Sequence, residues 1–600
     1  MNSLKTSINL TRSMGVSILL IGLTLVPLLT ANVSKAHAAT TLPTYNYTRT
    51  FDATNGSAEA DYVATDKNNN VYVYGYFSGT MIFNPSDPST TITSPNDNIF
   101  LTKYSSSGVY QWTKTLDVAG GAAYATGITT DSSGNVIMYG SLNGTVSLPG
   151  INGFSETTQN TNIIPPSSAF TNQNRPGGLH PNITSPGYTS FLVKFDTNGS
   201  TLWSNVADSG NNGQIFSYNI AIDKNNNLFT TGYFCGAVNF VNITTSTSMN
   251  CSSYVAKYNN EGVFQDIKYN DTSIAGAYGS FSLGNGVTAD KNGNTYVTGY
   301  FMGQVGFNYD GDNTGTDILT NPYNGSEGFI TKYNSDGSYA WTRINTIQNN
   351  QSGDDEINIA ADSDGNVYTN GGFVGPISFN QTNTQISADN GINYSNYLTK
   401  YDTNGNYKWT NITTNQVGSS SGDSFLYGGL VIDPNNDIFV SGQFEGNVIL
   451  DGPNGTDHYT SSNDGARSGY FSKFNPDGSY GYSKVSSYEP SAAGGPYVRP
   501  NSLAVDNLGN LYSTGVYKGA VYFNGIDNTD ENNSESYNAF LTSWKAFIPP
   551  VTLAPAKTPS TPSTGFAKGN NTNQIILYSS LFIALSLITG GYVVNKRDKN

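Results

Sequence analysis

One pattern recurs seven times along this 600-residue chain, and a fold must accommodate it. Each copy opens on an Asp-led turn: Asp66, Asp131, Asp223, Asp290, Asp362, Asp433 and Asp506, at spacings of 65, 92, 67, 72, 71 and 73 residues. A strand with an aromatic or apolar beat follows, carrying Tyr72, Ile137, Phe229, Tyr296, Tyr368, Phe439 or Tyr512. Every copy then has Gly-x-(Phe/Leu/Tyr)-x-Gly, from Gly75 to Gly79 in the first and Gly515 to Gly519 in the last. An aromatic-x-x-Lys-aromatic strand comes next (Lys103, Lys194, Lys257, Lys332, Lys400, Lys473), with Ser543 as the exception. A Gly turn and a strand with Trp112, Trp203, Trp341, Trp409 or Tyr482 close the unit.

Period-2 alternation bounded by Gly and Asn turns is the mark of strands. One copy holds about four strands and buries too little alone, so neighbouring copies must stack. Short antiparallel sheets repeated around an axis make a propeller, which leaves few open edges. The expectation is an all-β, seven-bladed β-propeller over residues 39–547. The composition agrees: Gly 65, Tyr 41 and only 12% charged residues suit short strands and tight turns better than helices. The pattern resembles the SBBP-type β-propeller repeat family, with its Asp-x-x-Gly-Asn-x-Tyr-x-x-Gly core, over about residues 60–545. That resemblance implies the fold and no ligand.

The seventh copy runs from Phe540 to Trp544 into Ile548-Pro-Pro550, without a last strand. Near the N-terminus, Tyr45 to Asp52 aligns with Tyr110 to Asp117, the final strand of copy one, and Tyr47 falls where Trp112 does. Residues 43–52 are therefore expected to complete blade seven, since an open edge would expose unpaired backbone groups.

The two ends read as addresses. Residues 1–38 form a secretory signal: a leader with Lys5 and Arg12, an apolar run from Met14 to Thr30, and small residues Ala36 and Ala38 before a cleavage point at Ala39. Residues 548–570 are a Pro/Thr/Ser-rich spacer. Ile575 to Val594 is long enough for one transmembrane helix, and 595–600 form a basic tail expected on the cytoplasmic side. Thr561-Pro562-Ser563-Thr564-Gly565 before that span resembles the sorting signal of sortase-anchored surface proteins, with Thr561 where that family prefers Leu. The resemblance implies a sortase-type transpeptidase that cuts after Thr564 and joins it to an envelope polymer. The body then sits on the outer face of a bacterial envelope, anchored to wall or membrane through its C-terminus.

The formal charge is −15, and both ends are basic, so the body is more acidic than the whole chain. Such a surface repels phosphate backbones, so nucleic acid is not an expected partner. Cys235 and Cys251 would staple one loop in an oxidising compartment and stay two unrelated thiols in a reducing one.

Residues present in all seven copies serve what every blade needs, which is folding. The Asp turns read as Asx turns with a left-handed position, the paired glycines as close strand approach, the lysines as ion pairs or snorkelling stems, and the Trp column as packing between blades. Function belongs where copies differ. The insertion from Pro149 to Tyr188 stretches the Asp131-to-Lys194 interval to 63, against 34 to 42 elsewhere, and a long loop on a rigid frame is a candidate binding loop. Asp310, Asp312 and Asp317 alternate as in a Ca²⁺ loop, but Asn321 stands where an EF-hand needs Glu. A solvated acidic loop is the reading, calcium the alternative, and no other cofactor is expected.

His37 lies in the signal, which leaves His180 and His458 in different blades, and no nucleophile or zinc motif is present. Catalytic residues are therefore expected to be none. The chain reads as a monomeric, non-enzymatic adhesion or binding module for a glycan or protein ligand. The alternative is a glycan-acting hydrolase or lyase on the same scaffold. An exposed aromatic patch would favour binding; two carboxylates facing each other at the channel mouth would favour the enzyme.

Overall fold

The computed structural model describes residues 42–545 except 148–181, 208–212, 241–242, 275–278, 309–316, 351, 380–385, 388–394, 416–423, 426–427, 452–455, 462–465, 489–494 and 525–530. Among the described residues every regular element is a strand, apart from one 3₁₀ turn at Pro88–Thr90. The signal, spacer, sorting motif and apolar span expected at the ends fall outside the described residues.

Each copy is an antiparallel meander of four strands. Blade four shows the plan with Phe281–Ala289, Thr295–Met302, Glu327–Tyr333 and Tyr339–Ile344 paired in that order. The first strands of the seven blades touch in a closed cycle, and Tyr497–Val505 of blade seven meets Ala58–Thr65 of blade one. The closing seam is bonded: Val63 N–H donates to Ser502 Oγ at 3.4 Å and Thr65 Oγ1 to Val505 O at 3.0 Å. The chain therefore forms a seven-bladed propeller with the first strands innermost.

Blade seven takes its outer strand from the other end of the chain. Thr44–Phe51 pairs antiparallel with Glu531–Lys545, and Tyr47 lies opposite Ser543, as Trp112 lies opposite Lys103 in blade one. Arg49 Nε donates to Gly108 O at 2.9 Å, the same bond Arg343 makes to Gly405 O at 2.8 Å between blades four and five. The N-terminal strand thus performs for blade seven the task an outer strand performs elsewhere.

The core lies between blades. Second strands are buried on both faces, so alternate residues serve opposite neighbours. Val136 and Met138 pack with Tyr72 and Tyr74 of blade one, whereas Ile137 and Tyr139 pack with Tyr254 and Phe234 of blade three. This explains strands that read as nearly continuous apolar runs, such as Val71 to Tyr74.

The invariant residues hold the frame at one face, here called the bottom. Asp506 Oδ1 accepts from the N–H groups of Leu508 and Asn510, and Oδ2 from Asn510 Nδ2 and the Tyr512 hydroxyl, at 2.8 to 3.0 Å. The fourth turn position is left-handed in all seven copies and is always Gly or Asn. Where it is Asn, its side chain also bonds the turn of the preceding blade, as Asn226 Oδ1 accepts from Ser132 N–H at 2.9 Å. The lysine and Trp columns clasp blade to blade. Thr403 O accepts from both Lys332 Nζ (2.7 Å) and Trp341 Nε1 (3.4 Å) of the preceding blade. Lys194 adds an ion pair to Asp131 at 2.8 Å.

Candidate functional site

The opposite, top face carries the loops between second and third strands and the connections between blades. The Pro149–Tyr188 insertion enters there, although 148–181 lie outside the described residues. Near this end the inner strand bulges in six blades, for example between Ala60 and Tyr62 and between Gly284 and Gly286. The bulge presses a carbonyl onto the second strand. A Cβ at Gly299 would lie 1.8 Å from Leu283 O, which explains the first invariant glycine.

Just before the bulge, one position recurs in all seven blades: Glu59, Tyr124, Phe216, Leu283, Asp355, Phe425 and Arg499. Unlike the bottom face, this rim has no common residue. It carries an aromatic sector over blades two and three and a charged sector from blade seven to blade one.

In the aromatic sector, rings form a ladder across two blades. Tyr124 meets Tyr188 at 6.2 Å, Tyr188 meets Phe216 at 4.9 Å, Phe216 stacks on Tyr233 at 4.7 Å, and Tyr218 on Tyr233 at 5.8 Å. Tyr188 is the last residue of the blade-two insertion, so that loop returns to the sheet in this ladder. Tyr218 is the bulge residue of blade three, and it remains 38% exposed, with Tyr124 at 47%. Burial, and then Tyr218, push the Tyr233 hydroxyl up to about 12. The hydroxyls of Tyr124, Tyr218 and Tyr233, all raised, stay protonated at neutral pH and act as neutral donors and acceptors beside apolar ring faces.

In the charged sector, Glu59 collects donors from two blades. It accepts from Arg499 Nη2, from Asn501 Nδ2 at 2.8 Å, and from the Tyr76 hydroxyl at 2.7 Å. Asp61, in the bulge, has its carboxyl pushed well above the usual range by burial and by Glu59 beside it. A cleft of about 590 Å³ opens here, lined by Glu59, Tyr76, Arg467, Tyr497, Arg499 and Tyr537. The sequence reading singled out no carboxylate pair. Glu59 and Asp61 escaped it because a bulge sets their relation and their partner Arg499 lies 440 residues away.

The residues expected to matter are placed as follows. Cys235 and Cys251 are opposite each other on adjacent strands of blade three, with their sulfurs bonded and a Cα–Cα distance of 4.2 Å. Asp310 and Asp312 lie outside the described residues. Asp317 is described, and its carbonyl accepts from Phe307 N–H at 3.0 Å. Among the described residues, no group of three or more His, Cys, Asp or Glu side chains is placed to hold a metal ion. Ala36, Ala38, Ala39 and Thr561 to Gly565 lie outside the described residues. Among the described residues no helix is long and apolar enough to cross a membrane.

No family model matches the chain. A curated relative, an uncharacterized WD repeat-containing protein L264 of Acanthamoeba polyphaga mimivirus, is 27% identical over 408 residues. That match spans 58% of this chain and 27% of the relative's own length. Among solved structures, a chain of a mitotic checkpoint complex is 9% identical with a TM-score of 0.36, covering 91% of this chain and 100% of that one. The polysaccharide lyase Uly1 is 11% identical with a TM-score of 0.37, covering 85% and 94%. A PL25 ulvan lyase bound to -[GlcA(1-4)Rha3S]- is 10% identical with a TM-score of 0.35, covering 82% and 97%. None of these likenesses reaches the level from which an activity follows.

Proposed function

We propose that this chain is a cell-surface binding module whose ligand, a glycan, seats on the top face of the propeller. The carrying observation is the ladder of Tyr124, Tyr188, Phe216, Tyr233 and Tyr218, with Tyr124 and Tyr218 exposed, built around a rim position that no single residue type fills across the blades. Sugar rings present flat C–H faces edged by hydroxyls. Aromatic faces with neutral phenolic groups suit both, and tyrosine binds with little loss of conformational entropy. The rigid ring of blades holds the ladder in place before the ligand arrives.

Export and anchoring complete the reading. Residues 1–38 direct the chain outward, and Thr561-Pro562-Ser563-Thr564-Gly565 hands it to a sortase-type transpeptidase, with Ile575 to Val594 holding the membrane until then. A Cys235–Cys251 bond fits an oxidising exterior. A protein ligand remains the alternative on the same face.

A glycan-cleaving role draws on Glu59 and Asp61. Glycosidase carboxyl groups, however, stand about 5 to 9.5 Å apart on either side of the scissile bond. Glu59 and Asp61 interact directly with each other, and Glu59 is saturated by Arg499, Asn501 and Tyr76. This arrangement suits positioning Arg499 better than bond cleavage.

The test is glycan-array binding by the full chain and by its Tyr124→Ala and Tyr218→Ala variants. Binding weakened tenfold or more by either change, with no release of new reducing ends, supports the reading. Binding indifferent to both changes moves the site elsewhere, and released ends restore the enzyme. Mass spectrometry of the C-terminal peptide from native envelopes separately tests anchoring: a chain ending at Thr564 sustains it, and one continuing to Asn600 refutes sortase processing.

A further inference from the structure

The cleft between blades seven and one carries a different chemistry from the ladder, in a protein with 43 acidic and 28 basic side chains. Many of its lysines are already committed at the bottom face. Lys103, Lys194, Lys332 and Lys400 each donate to a carbonyl of the next blade at 2.7 to 3.1 Å. Arg499 is the single cation at the seven-fold rim position. Glu59 and Asn501 Oδ1 engage two of its five N–H donors, fixing the plane of the guanidinium and leaving donors over.

A second guanidinium is brought alongside by backbone pairing. Arg467 N–H donates to Pro496 O and Val498 N–H to Arg467 O, both at 2.9 Å, which ties blade six to the inner strand of blade seven. Arg467 stands 5.9 Å from the Tyr497 ring centre, and Tyr497 meets Tyr537 edge-on at 5.5 Å. Lys518 lies 5.2 Å from the ring centre of Tyr537, which is 47% exposed. The lining sets two guanidiniums, Arg467 and Arg499, against one carboxylate, Glu59, with Glu445 3.6 Å from Arg467, on an otherwise acidic molecule. Its volume of about 590 Å³ lies in the range of about 300–1,000 Å³ typical of small-molecule pockets.

We propose that this cleft is a subsite for a carboxylate-bearing sugar, with Arg499 and Arg467 receiving the carboxylate and Tyr537 the sugar face. Planar N–H forks match carboxylates, and the aromatic platform distinguishes a sugar from a bare anion. The inference rests on the glycan reading and names its class: an acidic glycan spanning from the aromatic ladder to the basic cleft.

The experiment is calorimetric titration of the full chain with oligogalacturonate, its methyl ester, neutral cellohexaose and hexaglutamate. Arg467→Ala and Lys518→Ala leave Glu59 and its bonds in place, and unchanged melting curves verify their folding. Oligogalacturonate is expected to bind at least tenfold tighter than its ester, and Arg467→Ala should remove most of that difference. Arg499→Gln should do the same, with Arg467→Ala deciding if it fails to fold. Equal affinity for acid and ester, or an advantage untouched by Arg467→Ala, overturns the subsite. Equal binding of hexaglutamate overturns the sugar assignment in favour of an acidic peptide. If cellohexaose binding depends on Tyr124 while the acid confers no gain, the subsite alone fails; if no glycan binds, both readings fail.

Discussion

The bottom and top faces of this propeller are built from the same seven repeats and follow opposite rules. At the bottom, the same side chains make nearly the same bonds at blade after blade: Asp66, Asp290, Asp362 and Asp506 each accept a Tyr hydroxyl at 3.0 to 3.1 Å. At the top, one backbone position holds Glu, Tyr, Phe, Leu, Asp, Phe and Arg in turn. The bottom must satisfy buried turns and clasp each blade to the next, and only a few side chains do both. The top rim meets solvent, so its side chains are free to differ.

The largest test of this contrast is at the seam where the ring closes. Deleting residues 39–52 removes the outer strand of blade seven, with its fully buried Phe51 and the Arg49 bond to Gly108. The expected outcome is loss of the cooperative thermal transition, whereas deletion of 548–560 should leave the melting temperature within a few degrees. A propeller that melts normally without residues 39–52 would mean the frame does not need closure.

Next in size is a single frame residue. Asp290→Ala leaves the Asn292 and Asn294 N–H groups, Asn294 Nδ2 and the buried Tyr296 hydroxyl without their acceptor. At roughly 1–3 kcal/mol for an unsatisfied buried group, with water reaching part of the turn, about 3 kcal/mol is expected from urea denaturation. A loss below 1 kcal/mol would show that the turn is not a structural anchor.

A smaller effect depends on pH. Glu327 and Asp354, each 1% exposed, stand where blade one has Asn98 and Ala58. Burial raises Glu327 to about 8 and Asp354 to about 7, with Asp354 adding to the shift of Glu327. Folding therefore favours their protonated forms. Their stabilising contribution is complete below the ordinary carboxylate range and is lost as pH rises towards about 8. Glu327→Gln should accordingly narrow the gap in urea midpoint between pH 5 and pH 8.5. A gap unchanged by the substitution would assign the pH dependence to other groups.

The smallest effect on stability is expected at the rim. Tyr124→Ala should shift stability by no more than about 1 kcal/mol, because the ring is half exposed and its ring contact is with Tyr188 at the surface. Its effect should fall on binding instead. A rim substitution that destabilises as much as Asp290→Ala would erase the distinction between the faces.

The frame was legible because local rules wrote it. Asp with Gly or Asn three residues on is a turn that the nearby chain dictates, and seven copies make the pattern self-checking. The split blade was legible too, since Tyr47 and Arg49 lie in a segment that repeats the outer strand of blade one. The candidate site was less so. The rim position was visible as seven residues but not as a position, because the bulge beside it breaks the strict alternation by which faces are read. Tyr188 looked like the end of a loop, and only folding brings it 4.9 Å from Phe216.

Strand order, turn chemistry and ring closure thus follow from the sequence, because hydrogen bonds between near neighbours and a repeated hydrophobic beat determine them. The grouping of Glu59 with Arg499, of Arg467 with Tyr497, and of Tyr124, Tyr188 and Phe216 was decided only by tertiary structure. These residues belong to different blades, and the curvature of the closed ring sets which of them meet.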